Sequence, residues 1–412
     1  MGARGVSDWS ASMFEALPLQ IAAAQALPGY AEALSRVDPA TITTRDALAQ
    51  LPVLRRTVLR ASQLADPPFG GFAAAPDPML DYILRAPGPI YGQGQSDQDW
   101  SRVGNFLAAC GVGPGDIVQN CFGYHMSSWG PFFDMASRVV GATVLPAGAD
   151  GAARQVRAAR ELGCTVYAGP PKFLSELVQM AEALGVHLPF RCAAVADGVL
   201  QPGQRALFAA RGIRCQQGFV MPELGCVAYE TAPANGMTVD AGVIVEIVTA
   251  GTGTPVPEGE IGEVLVTTLN PLAPLIRFAT GELSRAIPTT ASTTDANPRI
   301  AGRCGRADQM TRINDLFIRP EQVAELMTRH PEILRARLVV TRADAVDVVT
   351  CLIEVSGSPS GQYSASVAEI LKVRPIIQLV PPGSLPRDGK VIDDQRVSTP
   401  VTPRCRHAPE PH

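Results

Sequence analysis

The segment GVGPGDIVQNCFGYHMSSWG, residues 111–130, joins a glycine-rich turn, a short apolar strand and a cluster of reactive side chains. The turn is Gly111–Asp116, and Ile117 and Val118 begin the strand. In Gln119–Gly130 a thiol, aromatic rings, an imidazole and hydroxyls stand between glycines, which let a backbone turn sharply and come close to a ligand. This composition favours a functional site. The alternative is a buried aromatic turn with a hydrogen-bonded histidine.

Among the five histidines of the chain, His125 has the setting most typical of a site. His407 and His412 belong to the tail, His187 lies in a connector, and His330 ends a predicted helix. We therefore take His125 as the first candidate for acid–base chemistry.

Composition excludes several classes of protein. The chain has 412 residues, of which 46% are hydrophobic and 18% charged, enough for two or three domains with a large core. A net charge of −4 gives no electrostatic attraction to nucleic acid or to an anionic membrane. Nine cysteines form no C-x-x-C pair, so we expect reduced thiols and no metal site. With no signal-peptide core and no apolar run near 18 residues, a cytoplasmic protein is expected.

The pattern along the chain predicts an α/β fold. Residues 8–65 are predicted as helices and residues 66–98 as irregular because they are rich in proline and glycine. Beyond them strands and helices alternate, which implies parallel strands covered by helices. The strands are predicted at 117–121, 142–146, 165–168 and 192–196, and the helices at 131–139, 151–162, 171–184 and 203–211.

A different pattern follows, in which the strands around residues 244–248 and 263–268 alternate as in antiparallel sheets. A small α+β pattern then runs from residue 320 to residue 379. We predict a large domain at 1–302, a small α+β domain at 303–397, and a disordered tail at 398–412, which is rich in proline.

Eight segments in order resemble the phenylacetate–CoA ligase branch of the adenylate-forming superfamily, which contains acyl-CoA synthetases and adenylation domains. They are Leu51–Leu59 (LPVLRRTVL), Gly111–Asp116 (GVGPGD), Asn120–Gly130, Gly141–Pro146 (GATVLP), Glu258–Thr268 (EGEIGEVLVTT), Pro274–Leu283 (PLIRFATGEL), Gly302–Asp308 (GRCGRAD) and Leu385–Lys390 (LPRDGK). The resemblance implies the adenylate-forming fold, in which ATP activates a carboxylic acid and the thiol of CoA then displaces AMP. It implies that the large domain at 1–302 binds the acyl group and that the small domain at 303–397 is mobile. It also implies that Arg306 and Asp308 belong to a hinge and that Lys390 is the mobile lysine that orients the acyl phosphate.

The phosphate-binding loop of that family, SSGTTGKP, is missing here. Residues 85–93 read RAPGPIYGQ in its place, with neither the lysine nor the hydroxyl cluster. Pro87 and Pro89 also lack the amide N–H groups that cradle a phosphate.

The other three nucleotide contacts are altered as well. The adenine shelf reads Ala196–Val199 (ADGV) and lacks its glutamate. In the next motif, aligned on Gly218, Gln217 takes the place of the adenine-stacking tyrosine and Met221 that of the magnesium-binding glutamate, which Glu223 can replace only if the loop shifts. Glu282 stands where the family has the ribose-binding aspartate. We therefore expect no productive binding of ATP and Mg²⁺, and no permanently bound cofactor or metal.

What the resemblance leaves is a pocket for an aromatic or acyl group and a channel for a pantetheine arm. The sequence predicts an ATP-independent acyltransferase that moves a benzoate-like or anthranilate-like group from CoA to the phosphopantetheine thiol of an acyl carrier protein. His125 is the candidate base, and Cys121 offers a covalent route unless it is an inert buried thiol. Lys390 is the third candidate catalytic residue, with a relic as its alternative. The predicted substrate-binding residues are Phe122, Gly123, Tyr124, Gly218 and Phe219.

Two other hypotheses stay open at this point. An ATP-dependent aryl-acid–CoA ligase with an unusual loop predicts pyrophosphate release that depends on the acid. A non-catalytic scaffold predicts no thioester turnover. The acyl group and the oligomeric state are also open, with a homodimer as one alternative.

Overall fold

The chain divides into two units in a computed structural model. The model describes residues 6–73, 82–86, 89–94, 99–232, 236–270, 273–288, 297–307, 311–313, 316–343, 346–356, 363–388 and 390–396. The large unit comprises Met1–Thr249 and Gly253–Arg306, and the small unit comprises Ala250–Thr252 and Ala307–His412. The boundary predicted at residue 302 lies shortly before this division, whereas the predicted disordered tail falls outside the described residues.

The N-terminal part of the large unit is helical. It contains α1 (Val6–Gln25), α2 (Arg45–Ala49) and α3 (Arg56–Ala65), with short 3-10 turns at Pro28–Tyr30 and Pro39–Thr41. Met13, Leu17, Ile21 and Ala24 recur at helical spacing and are all buried, so one face of α1 packs on the core.

A β-hairpin follows where the sequence predicted irregular structure. Its strands are β1 (Tyr82–Ala86) and β2 (Ile90–Gly94), which pair antiparallel. The prediction of an irregular segment over 66–98 is wrong for these ten residues. Prolines and glycines on both sides concealed two short β-forming runs, and pairing between the runs outweighs those local signals.

The predicted alternation of helices and strands is confirmed in the middle of the chain. The elements are α4 (Asp99–Ala109), β3 (Ile117–Asn120), α5 (Trp129–Val139), β4 (Thr143–Pro146), α6 (Ala152–Leu162), β5 (Val166–Gly169), α7 (Pro171–Ala183), β6 (Cys192–Val195), α8 (Pro202–Ala209) and β7 (Arg214–Met221). Strands β4, β3, β5, β6 and β7 lie side by side and parallel. Helices α4 and α5 cover one face, while α6, α7 and α8 cover the other.

Antiparallel strands complete the large unit. They are β8 (Gly225–Tyr229), β9 (Met237–Val239), β10 (Val243–Val248), β11 (Gly262–Thr268), β12 (Phe278–Ser284), β13 (Ala286–Ile287), β14 (Arg299–Ile300) and β15 (Gly305–Arg306). Strands β8, β9, β14 and β13 extend the parallel sheet beyond β7, giving nine strands in the order β13-β14-β9-β8-β7-β6-β5-β3-β4. Strands β10, β11, β12 and β15 form a separate antiparallel sheet.

The small unit is a mixed sheet with two helices. Its elements are β16 (Thr311–Ile313), β17 (Leu316–Ile318), α9 (Pro320–Arg329), β18 (Ile333–Ala343), β19 (Val346–Val355), α10 (Tyr363–Leu371), β20 (Ile376–Val380) and β21 (Ile392–Asp394). The main sheet has the order β20-β19-β18-β21, and its core includes residues from both helices. The predicted α/β fold class is confirmed, while the mobility of this unit stays a prediction. In the described ranges no helix has both the length and the apolar character needed to span a bilayer.

Candidate active site

The side chain of Asn120, the last residue of β3, holds the turn that follows the strand. Its Nδ2 donates to the Tyr124 hydroxyl at 2.8 Å and to the Gly130 carbonyl at 2.9 Å, and its Oδ1 accepts from the Phe122 amide at 3.2 Å. A Cβ on Gly130 would lie 2.7 Å from the Tyr124 ring, so the turn closes only around a glycine. Asn120 was not predicted to have a role. An asparagine at the end of a short apolar strand was the available signal in the sequence.

Cys121 lies on the face of the sheet that α6 and α7 cover, and it is fully buried. Its thiol donates to Oε1 of Gln155 at 3.1 Å. Burial raises the pKa of Cys121 well above its usual range, and a hydrogen bond with Gln119 offsets only part of this effect. Because the thiolate is the nucleophile, this environment disfavours an acyl-enzyme on Cys121.

Phe122 points to the opposite face and belongs to the aromatic core between the sheet and α5. Its ring stacks on Phe133 at 4.3 Å and on Trp129 at 5.3 Å between centroids, and the side chain is 1% exposed. Tyr124 is half-buried, and burial together with the nearby Asp134 carboxylate raises its pKa. Gly123, which was also predicted to bind substrate, is exposed.

His125 is exposed at the tip of the turn. The next residue, Met126, is 73% exposed. In the part of the chain that the structure describes, no hydrogen bond joins His125 to Cys121. One side chain faces solvent and the other faces the core, so the structure does not bring the two together as a catalytic pair. A role of His125 as base stays a prediction.

Gly218 and Phe219 lie in β7, which is flanked by strands on both sides. A Cβ on Gly218 would lie 2.7 Å from the Phe106 ring, and Phe219 is 1% exposed in the core of the large unit. Contact of either residue with a substrate stays a prediction.

The connection between β1 and β2 occupies the place of the phosphate loop. Ala86 pairs with Ile90, so residues 87–89 make the whole connection. Gly88 is the only residue of these three that carries an amide N–H, because the other two are prolines. A phosphate cradle uses several successive backbone amides, and the sequence Pro87-Gly88-Pro89 carries only one.

Both acidic residues considered for nucleotide binding are ion-paired with arginines. Glu223, in the turn between β7 and β8, lies 2.5 Å from Nη2 of Arg56. Glu282 receives two hydrogen bonds from Arg303, at 2.6 and 3.1 Å, and lies 3.7 Å from Arg306. A fork of this kind is the preferred partner of a carboxylate, so a ribose diol or a metal ion would have to compete with it.

Gln217 is hydrogen-bonded to the segment that resembles the adenine shelf. Its Nε2 donates to the Gly198 carbonyl at 2.7 Å, and its Oε1 accepts from the Leu200 amide at 3.3 Å. Gln217, at the position of the adenine-stacking tyrosine, is therefore hydrogen-bonded to the backbone of this segment.

A cavity of about 720 Å³, counting the part open to solvent, lies inside the large unit. It is bounded by α3, the β1–β2 hairpin, α5 and the turn between β7 and β8. Its walls include the apolar residues Leu59, Phe69, Phe72, Phe132 and Leu224 and the carboxylate of Glu223. The wall also carries polar side chains, among them Gln63, Arg102 and Asn270, and a cavity that combines apolar walls with polar groups is typical of a small-molecule site. The cavity was not predicted from the sequence because the hairpin was not predicted, and none of the predicted site residues is among the described residues that line it.

The hinge residues and the lysine that the family resemblance implied are not among the described residues of the cavity wall. Arg306 ends β15, and Asp308 falls outside the described residues. Lys390 belongs to the small unit, where its Nζ lies 3.3 Å from Asp393 and its side chain is 49% exposed. Within the described ranges, no group of three or more histidine, cysteine, aspartate or glutamate side chains is placed to hold a metal ion.

Comparison with known proteins identifies relatives of this chain. It is 26% identical to a phenylacetate-coenzyme A ligase of Aromatoleum evansii, with 80% of this chain and 78% of the relative covered. It is 25% identical to a phenylacetate-coenzyme A ligase of Thermus thermophilus, with 78% and 75% covered. No family model matches the chain.

Solved structures show the same fold. A 2-hydroxyisobutyryl-CoA ligase in complex with R3-HIB-AMP superposes with a TM-score of 0.66 at 22% identity, covering 93% of this chain and 89% of the ligase. The same ligase with 2-HIB-AMP gives a TM-score of 0.67 at the same coverage. The resemblance is thereby confirmed: the chain is a homologue of the phenylacetate–CoA ligases and has the fold of the adenylate-forming superfamily.

Proposed function

We propose that this protein transfers an aromatic acyl group from a CoA thioester to the phosphopantetheine thiol of an acyl carrier protein, without ATP. One observation carries the proposal. Glu223 and Glu282, which stand at the positions for magnesium and ribose, are both ion-paired with arginines, while a cavity with aromatic side chains in its wall lies beside Glu223. The similarity to ligases that act on an aromatic acid supports the choice of an aromatic acyl group.

Energetics support a reaction that does without nucleotide. Each charge-assisted hydrogen bond to a phosphate contributes about 1.5–3 kcal/mol, and the sequence Pro87-Gly88-Pro89 lacks the amide N–H groups for a series of them. Exchange of an acyl group between two thiols is nearly isoenergetic, so it needs positioning and proton transfer but no ATP.

In the proposed step, His125 takes the proton from the carrier thiol, and the thiolate attacks the thioester carbonyl. The bond to the CoA sulfur then breaks, and the CoA thiolate receives the proton back from the imidazolium. An exposed imidazole, as on this turn, can meet a thiol delivered from solution on a pantetheine arm. Loss of such a base costs about 10²–10⁴-fold in rate.

Mass spectrometry of a holo-acyl carrier protein after incubation with enzyme and benzoyl-CoA tests the proposal. We expect the carrier to gain a benzoyl group with no nucleotide present, and the rate to fall about 10²-fold or more in His125→Ala. The matched control is His187→Ala, which removes another exposed histidine and should leave the rate unchanged. Acylation that appears only with free acid and ATP would refute the proposal.

The competing function is an ATP-dependent aryl-acid–CoA ligase, which the similarity to phenylacetate-coenzyme A ligases over most of the chain favours. It predicts pyrophosphate release when ATP, CoA and an aromatic acid are supplied together. We expect none. Pyrophosphate release that depends on the aromatic acid would refute the transferase function and support the ligase function.

A further inference from the structure

Glu223 is a buried carboxylate that is only half satisfied by protein groups. Its side chain is 3% exposed, and Nη2 of Arg56 lies 2.5 Å from its Oε1. Among the residues that the structure describes, neither oxygen has a hydrogen-bond partner of good geometry and neither contacts solvent, so Oε1 has the ionic contact with Arg56 and Oε2 has no polar contact. A buried acceptor without a partner is costly, so such an atom indicates a missing donor.

The position of the Glu223 carboxylate in the cavity wall indicates that the missing hydrogen-bond donor belongs to a ligand. Glu223 lines the cavity of the large unit, whereas Arg56 is not among the described residues of its wall. The wall also contains apolar and aromatic side chains, among them Leu59, Phe72 and Phe132. A ligand in this cavity would therefore place apolar surface against these side chains and a polar group at Glu223.

The charges of Glu223 and Arg56 restrict which polar group of a ligand can bind there. Burial raises the pKa of Glu223, and the Arg56 guanidinium offsets part of this rise. The guanidinium at 2.5 Å from Oε1 favours the ionised carboxylate against this effect of burial, and in that form Oε2 can only accept a hydrogen bond. The arginine also neutralises the charge that a divalent cation would need, since hard cations bind through several oxygen ligands.

We propose that Glu223 determines acyl-group specificity by accepting, through Oε2, a hydrogen bond from a hydroxyl or amino group on the aromatic ring of the acyl group bound in this cavity. The inference rests on the proposed function for the identity of the ligand as an aryl thioester. A site built to receive a donor rejects an analogue that lacks it, because the buried acceptor is then left unpaired. A ring substituted with a hydroxyl or amino group should bind, and a methyl group of similar size should not replace it.

Calorimetric binding of aryl-CoA thioesters without any acceptor thiol tests this inference independently of turnover. The probes are hydroxybenzoyl-CoA and aminobenzoyl-CoA in each ring isomer, compared with the matching methylbenzoyl-CoA. For at least one ring position we expect the wild type to bind the donor ligand about tenfold to hundredfold more tightly than its methyl counterpart. Equal affinity for the donor and methyl ligands at every position would overturn the inference.

The variant Glu223→Met keeps the size of the side chain and removes both oxygens. It should bind donor and methyl ligands equally, and binding of the methyl ligand reports that the variant is folded. The matched control is Glu263→Met, because Glu263 is paired with Arg55 at 2.8 Å and is as deeply buried, yet lies outside the cavity wall. This control should keep the wild-type preference.

Two further outcomes separate the failure of this inference from that of the proposed function. A preference for ring donors that survives in Glu223→Met overturns the inference alone, and ATP-free transfer is unaffected by that result. Binding of Mg²⁺ and ATP to the wild type that is lost in Glu223→Met would make Glu223 a nucleotide-site residue. It would overturn both proposals.

Discussion

At the scale of single residues, Arg277 connects three parts of the large unit. Its guanidinium donates to both carboxylate oxygens of Glu246, each at 3.0 Å, and to the carbonyls of Ala49, Leu51 and Gly253. The side chain is 2% exposed, and all of these bonds are buried except the partly buried one to Ala49. The network joins the segment after α2, strand β10 and the start of β12.

Substitution of Arg277 by alanine should be strongly destabilising. The change leaves the Glu246 carboxylate buried without its partner, and breaking a buried ion pair in this way costs about 3–5 kcal/mol. Burial already raises the pKa of Glu246, and the hydrogen bonds from Arg277 counter that rise. Urea denaturation at neutral pH measures the loss in unfolding free energy.

The control for this prediction is Arg154→Ala on α6. The partner of Arg154 is Asp150, and both side chains are more than three-quarters exposed, so the change should stay within about 0.5 kcal/mol. If Arg277→Ala unfolds at the same urea concentration as this control, the network contributes nothing to stability.

The residue scale also shows what the sequence predicts of the candidate site. Residue types and order place a thiol and an imidazole four positions apart, but they do not fix which way each side chain points. Cys121 follows β3 directly and turns into the core, whereas His125 lies where the turn has left the sheet. The side-chain bonds of Asn120 set the path between them, and such bonds have no periodic signature in a sequence.

At the scale of elements, the β1–β2 hairpin is held to α3 by one side chain. Gln63, which is 7% exposed, donates through Nε2 to the Tyr91 carbonyl at 2.6 Å and accepts through Oε1 from the Tyr91 amide at 2.9 Å. The glutamine thus pairs with the outer edge of β2 as a neighbouring strand would. Since Gln63 and the hairpin both line the cavity, this contact helps to shape the site.

We predict that Gln63→Leu loosens the hairpin. The substitution leaves the N–H and C=O of Tyr91 unpaired, and loss of about 1.4 kcal/mol of local stability corresponds to tenfold faster amide exchange. Hydrogen exchange measured by mass spectrometry should show this increase in peptides that cover 90–94. Leu64→Ala changes a side chain that is 71% exposed on the same helix and should leave the exchange as it is. Equal protection in both variants would mean that other contacts hold the hairpin.

Elements with a long regular pattern were predictable from sequence, and elements that depend on distant partners were not. The predicted helix over 151–162 is found at Ala152–Leu162, where Gly163 ends it in a left-handed conformation with φ of 62°. The hairpin has only five residues in each strand, with two glycines in the second. Its stability comes from pairing and from Gln63, which is distant in sequence.

At the scale of the whole molecule, the fold of a nucleotide-using superfamily persists while its acidic positions carry arginine partners. Motif order was enough to predict the fold, because eight short segments in sequence constrain the architecture strongly. The arginine partners were not predictable. Arg56 comes from α3 and Arg303 from the segment before β15, and only the folded chain brings them to Glu223 and Glu282. This pairing links the fold to the proposed loss of ATP use.

The cysteines provide a test that covers both units at once. Eight of the nine cysteines lie in the described ranges, all as free thiols, and all of these except Cys304 are buried. Burial raises the pKa of Cys164 to about 11 and that of Cys215 and Cys351 to about 12. Because alkylation requires an accessible thiolate, we predict that iodoacetamide at pH 8 modifies Cys304 in the native protein and reaches the other seven only after denaturation.

Peptide mapping of the labelled protein shows whether the Cys121 thiol is modified in the native state. Full labelling in denaturant is the positive control, and native protein preincubated with benzoyl-CoA shows whether any cysteine carries an acyl group. We expect Cys121 to stay unmodified in the native state with and without the thioester, because desolvation of its thiolate opposes both reactions. Native labelling or acylation of Cys121 would contradict its buried environment and restore the covalent route, with His125 left to act on the acceptor thiol alone.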